Sequence, residues 1–178
     1  MSQFVSYPSA AFPAPPALGV DAPDGWSALV VENTVLAVGL PSEPGVFTPN
    51  VCVSVSRVPG IHELDESVHS VVSAYEALDD FAEIGRESRE VFGRPGFRIE
   101  GSFGMPSVGA VYQAAHLTVV QQGTVTHVIN AVATCAAPQA PELVPVLRAI
   151  LDSLRGVDER GVDEPGLDEP GAEEPVSA

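Results

Sequence analysis

The sequence predicts an α+β domain with a central, mainly antiparallel β-sheet flanked by α-helices. Three observations carry this. Val51–Val58 (VCVSVSRV) alternates strictly between apolar and small polar or charged residues, the pattern of a half-buried strand. Ala110–Val120 and Thr124–Thr134 are two long β-type runs joined around Gln121-Gln122-Gly123, a hairpin signal. Two other stretches change to a spacing of three and four, the mark of amphipathic helices.

In chain order, residues 1–19 are rich in Pro, Ala and Ser and read as an extended segment, with an edge strand around Phe4–Tyr7. Asp24-Gly25-Trp26 is a turn that feeds a short strand, Ser27–Val31. Glu32-Asn33 turns the chain into a second strand, Val35–Leu40. A Pro/Gly loop follows, then Val51–Val58. Its inward face is either Val51, Val53, Val55 and Arg57 or the set beginning at Cys52; burial of valine favours the first.

In residues 63–82, Leu64, Val68, Val71, Val72, Tyr75, Leu78 and Phe81 mark one face of a helix of about five turns. Glu63, Asp65 and Glu66 sit where the helix dipole favours acids. Ile84–Phe92 alternates in charge and reads as an extended edge strand. Gly93-Arg94-Pro95-Gly96 is a turn, and Phe97–Phe103 a strand. Pro141 opens a last helix with Leu143, Val144, Leu147, Ile150, Leu151 and Leu154 inward; Pro145 falls in its first turn and Gly156 stops it.

Residues 156–178 are a separate object: GVDER, GVDEP, GLDEP, GAEEP, then VSA. A proline or glycine every two or three residues is incompatible with helix or ladder. The reading is an acidic, disordered tail, either a solubilising appendage or a docking strip for a basic surface. The domain division is therefore 1–19, 20–155 and 156–178.

The 178 residues carry 24 acids against 8 basic residues, a formal charge of −16. All eight basic residues are arginine. Nucleic acid and anionic membrane surfaces are thereby disfavoured, because both need a basic face. Without lysine there is no Schiff base and no P-loop. Val, Leu, Ile and Phe number 51, enough for a core. No segment approaches a membrane span. The opening residues lack the basic-then-apolar pattern of a secretory signal, which predicts a cytoplasmic protein; a secreted form processed beforehand is the alternative. Cys52 and Cys135 read as two buried thiols or a disulfide.

Chemistry is sparse. His62, Glu66 and His69 share a helical face and could bind zinc, against the simpler reading of a solvated acidic first turn. His116 and His127 fall on one sheet face if the hairpin loop has two residues, and apart if it has three. No nucleophile elbow, G-x-G-x-x-G or P-loop is present. The expectation is no catalytic residues, no cofactor and no metal. Loop aromatics are more suggestive. Trp26, Phe47, Pro49 and Asn50 are the candidate partner-binding residues, with Trp26 alternatively plugging one end of the core.

Taken in order, several motifs together resemble a known family. They are the Pro23–Trp26 turn, the Thr48–Val58 entry strand, the Gly93–Ser102 turn and strand, and a closing helix ending Ile150–Arg155. Over residues 20–155 the chain resembles the LpqN/LpqT family of actinobacterial proteins and, more distantly, DcrB-related and PsbP/Mog-type proteins. The resemblance implies a PsbP/Mog-like α/β/α sandwich and carries over no catalytic or metal motif. Such relatives are mostly non-enzymatic: envelope lipoproteins, a photosystem subunit, a GTPase-binding factor and secretion chaperones. The absence of a lipoprotein signal points to a cytoplasmic member. The implied function is a non-catalytic protein-binding module, a chaperone or adaptor associated with a secretion or injection system. Its partner would be another protein, basic or with exposed apolar segments, and a homodimer is left open. A small-molecule or lipid carrier is the alternative.

Overall fold

A computed structural model of the chain describes residues 2–157. Seven strands form one wholly antiparallel sheet in the order β2-β3-β4-β8-β7-β6-β5. In chain order these are β2 (Ser27–Ala28), β3 (Leu36–Gly39), β4 (Asn50–Pro59), β5 (Ala82–Val91), β6 (Arg94–Met105), β7 (Gly109–Gln122) and β8 (Val125–Ala136). Helix α1 (Leu64–Glu76) joins β4 to β5, and α2 (Ala140–Asp152) follows β8. A separate two-stranded clamp pairs β1 (Leu18–Gly19) with β9 (Arg155–Gly156).

Strand alternation gives the sheet two unlike faces. On one, α2 seats Leu147, Ile150 and Leu151 against Val51, Val53, Ile129, Ala131 and Ala133. All of these side chains are buried, and each large aliphatic contributes about 2 kcal/mol by leaving water. The Val51 set of β4 is thus the inward one. On the other face, α1 packs Val68, Val71, Val72 and Tyr75 onto Phe97, Ile99 and Ala115 of β6 and β7. A helix on each face gives the predicted sandwich.

Several expectations need correction. Helix α1 ends at Glu76, not near 82. Leu78 and Phe81 still reach the same cluster, from the connection rather than the helix. Phe81 can do so because Gly101 lies beneath it: a Cβ there would stand 2.3 Å from the Phe81 ring. The β5–β6 turn is Phe92-Gly93, both at positive φ, so Arg94 already pairs with Val91 and Pro95-Gly96 belong to the strand. The Phe4–Tyr7 stretch forms no strand. The strand pairing near the N-terminus lies instead at Leu18–Gly19. Pro145 sits inside α2, past the first turn, and α2 ends at Asp152 with Ser153 as its cap, before Gly156. The strand expected over Ser27–Val31 spans only Ser27–Ala28. Cys52 and Cys135 are both free, since they point to opposite faces of the sheet. Of the expected acidic tail, residues 158–178 lie outside the described residues.

Candidate functional site

Helix α1 covers only the β6–β7 half of its face. The pairing register continues that face across Ser54 and Asn130, which oppose each other, with Cys52 and Val132 one step along. Cys52, Ser54, Val128 and Asn130 are half-buried rather than covered, while Val132 reaches the edge of the cluster beneath α1. Ser54 Oγ donates to the Asn130 carbonyl at 3.4 Å. The Asn130 side-chain Oδ1 is itself buried and has no partner among the described residues. A buried amide oxygen without a donor costs free energy, which a bound N–H or O–H would recover.

The β2–β3 edge of the sheet beside this face is apolar. Val30 is fully exposed, and Val31 and Val35 are exposed beside it. Val35 hydrogen-bonds through its backbone to Val53 and extends the row that holds Ser54. A small open cleft of about 160 Å³ runs between Leu29–Val31 and Thr34–Ala37. The sequence predicts Val30 and Val31 in one regular strand and Val35 in the next. Because β2 stops at Ala28, they are left outside the sheet. The Glu32-Asn33 turn between Val30-Val31 and Val35 marks the break.

The candidate residues from the loops separate. Trp26 is half-buried and packs against the core under α2, which is the plug arrangement. Pro49 is buried, and its carbonyl accepts the Leu40 N–H at 3.0 Å. The Phe47 carbonyl accepts from Gln139 Nε2 at 3.0 Å and ties the loop to the start of α2. Asn50 donates through Nδ2 to the Thr48 carbonyl at 2.9 Å, and the Cys52 thiol lies 3.6 Å from its Oδ1. Of the four, Asn50 alone lies on the open face, in the row of Cys52 and Thr134.

The histidines also separate. His62 Nδ1 lies 3.2 Å from Glu66, but His69 is exposed and takes no part. Among the described residues no group of three such side chains could hold a metal ion. The β7–β8 loop has two residues, since Gln122 pairs with Val125. His116 and His127 therefore share the α2 side, opposite Ala131 and Val120 respectively and not diagonal neighbours. Burial pushes the His116 pKa down to about 4, and nearby Arg89 adds to the effect. Burial also lowers that of His127, helped by Arg57.

The α2 side carries a charged network. Glu100 is 1% exposed. Its carboxylate takes Arg148 Nε at 3.0 Å, the Arg148 Nη2, and Arg98 Nη1 at 3.2 Å. Burial works to raise its pKa, but the Arg148 hydrogen bonds and the two arginine charges hold it below the usual carboxylate range. Arg98 also approaches Glu87 at 3.5 Å, and Arg89 reaches Asp152 at 2.8 Å. These pairs bolt α2 to β5 and β6, and so hold the sheet that frames the opposite, open face.

With this geometry in hand, comparison with known proteins is specific. The family model described as "Probable lipoprotein LpqN" matches residues 8–155, and the chain belongs to that family. Against curated proteins the sequence finds no significant match. The crystal structure of LpqN, involved in cell envelope biogenesis of Mycobacterium tuberculosis, aligns with TM-score 0.69 at 16% identity, covering 80% of this chain and 84% of that one. That likeness shows a shared fold. The solution structure of cyanobacterial PsbP from Synechocystis aligns at TM-score 0.46 and 13% identity, over 79% and 87% of the two chains. Among the described residues no helix is long and apolar enough to cross a membrane.

Proposed function

We propose that this LpqN-family chain is a protein-binding module of the cell envelope, a chaperone or adaptor whose sheet face does no chemistry. The observation that carries the reading is the half-covered face of β4 and β8. It combines an exposed valine lip, a floor of small polar side chains and a buried amide oxygen that lacks a donor. An extended segment of a partner would fill it, with apolar side chains on the lip and polar groups over Ser54. The acidic chain favours a basic partner, steered by long-range charge. A lipid carrier calls for an enclosed apolar cavity, whereas the two clefts described, about 470 and 160 Å³, are open to solvent. The envelope assignment comes from the LpqN likeness. Fractionation of the native host tests it.

The test is capture from that host by the full chain and by a Val30→Asp/Val35→Asp variant. Both valines are exposed, so the variant keeps its thermal midpoint. The expected result is a partner held by the wild type, lost by the variant and weakened by salt. Equal capture by the two proteins would remove the sheet face from the reading.

A further inference from the structure

At the end of the same sheet side, where α1 begins, three side chains drawn from six consecutive residues form a hydrogen-bonded chain. Glu66 Oε2 lies 3.2 Å from His62 Nδ1, and His62 Nε2 lies 2.7 Å from Ser67 Oγ. The His62 backbone N–H donates to Thr126 Oγ1 of β8 at 3.2 Å, so the imidazole is held from the sheet as well as from the helix. An acid on one ring nitrogen and a hydroxyl on the other, both within hydrogen-bond reach, is the arrangement that activates a serine.

We propose that Ser67 is a nucleophile toward short-chain acyl esters, with His62 as its general base and Glu66 as the positioning residue for the imidazole. Ser67 Oγ bonds to the carbonyl carbon as its proton passes to His62 Nε2. The ester C–O bond then breaks, and the leaving alkoxide takes that proton. Water repeats the sequence and frees the acid, leaving Ser67 as it began. The Ser67 Cα–Cβ bond tilts toward the helix start, which carries Oγ over the first turn. Glu63 makes no side-chain cap there, and although the Glu66 N–H is taken by the Glu63 carbonyl at 3.2 Å, the Leu64 and Asp65 N–H groups of the same turn receive no side-chain cap and would serve a developing oxyanion.

Access runs past Leu64. Ser67 is only 6% exposed, and Leu64 stands one turn before it on the same helical side. Leu64 also lines the open cleft of about 470 Å³, together with Arg89, Glu90, Arg94 and Pro95. A small ester enters from this cleft, and Leu64 limits the rate. The proposal goes beyond the binding reading and does not depend on it.

The experiment treats the full chain with a fluorophosphonate, which forms an Oγ–P bond and expels fluoride, and maps the adduct by mass spectrometry. Hydrolysis of p-nitrophenyl acetate is followed in parallel. The expected adduct is on Ser67. It forms several-fold faster in Leu64→Ala and about 100-fold or more slower in His62→Ala. It is slowed in Glu66→Gln and largely kept in Glu66→Asp. Labelling absent from both wild type and Leu64→Ala, placed on another serine, or unchanged in His62→Ala would overturn the proposal and leave the three residues as a helix clasp. Circular dichroism of each variant separates lost reactivity from lost folding, and Leu64→Ala tests the proposal even where Ser67→Ala does not fold.

Discussion

Glu100 and Arg148 form a two-point ion pair between β6 and α2, and the carboxylate end of that pair is sealed from water. Removing only the acid strands Arg148 and Arg98 against an apolar layer. Glu100→Ala should cost about 3 kcal/mol in urea denaturation, the range for breaking one side of a buried pair. A loss below about 1 kcal/mol would mean that the arginines relax into solvent. The pair is also acid-sensitive. Its pKa is depressed on folding, so its contribution is complete above the ordinary carboxylate range and fades as pH falls through the lower folded value.

His116 gives a second pH dependence in a different window. Its ring is buried and titrates near 4 when folded, against 6.5 in the open chain. Between those values the unfolded state binds the extra proton, so acid favours unfolding. Stability should fall by up to about 3 kcal/mol from pH 6.5 to 4. His116→Leu should flatten that slope; an unchanged slope would assign the titration elsewhere.

Gly101 and Phe81 make a steric pair. Gly101→Ala drives a methyl into the ring and should destabilise by about 1–3 kcal/mol. Phe81→Leu alone should also destabilise, but the double variant should recover part of the alanine cost. Strict additivity in the double-mutant cycle would contradict the packing.

The thiols should differ in reactivity. Cys135 is fully buried and its pKa is pushed up to about 11 by burial, while Cys52 is half-exposed with a smaller upward shift. A thiol reagent should modify Cys52 slowly in the native protein and Cys135 only on unfolding. Equal rates would indicate that the sheet opens around β8.

The sheet was legible wherever one strand buried one face. Val51, Val53 and Val55 announced both the strand and its inward side, and the α2 stripe from Leu147 to Leu154 announced the last helix. What stayed hidden depended on contacts between distant segments. Leu78 and Phe81 keep helical spacing because they serve the same cluster as α1, so periodicity alone could not place the end at Glu76. Val30 falls outside the sheet because β2 stops after two residues, a stop that the alternation of Ser27–Val31 does not show. The open face could not be read, since small polar residues such as Ser54 and Asn130 look the same under a helix or beside one. Ser67 attracted no notice: its partner His62 lies five positions back and outside the helix, where no periodic template searches.

The β1–β9 clamp has a mechanical consequence. Leu18 pairs with Gly156, and Asp21 meets Arg155 at 2.7 Å just inside. Tension applied at Ala17 and Val157, beside the clamp, would therefore act at adjacent points of an antiparallel pair. It would part the rungs one after another, as a zipper opens, rather than shear them together. Only after those two rungs and the Asp21–Arg155 contact had yielded would the load reach α2 and the long strands. The clamp thus sets the force at which α2 begins to feel the load, while the segment before it keeps a separate grip on β4, where Arg57 Nη2 donates to the Pro13 carbonyl at 2.8 Å.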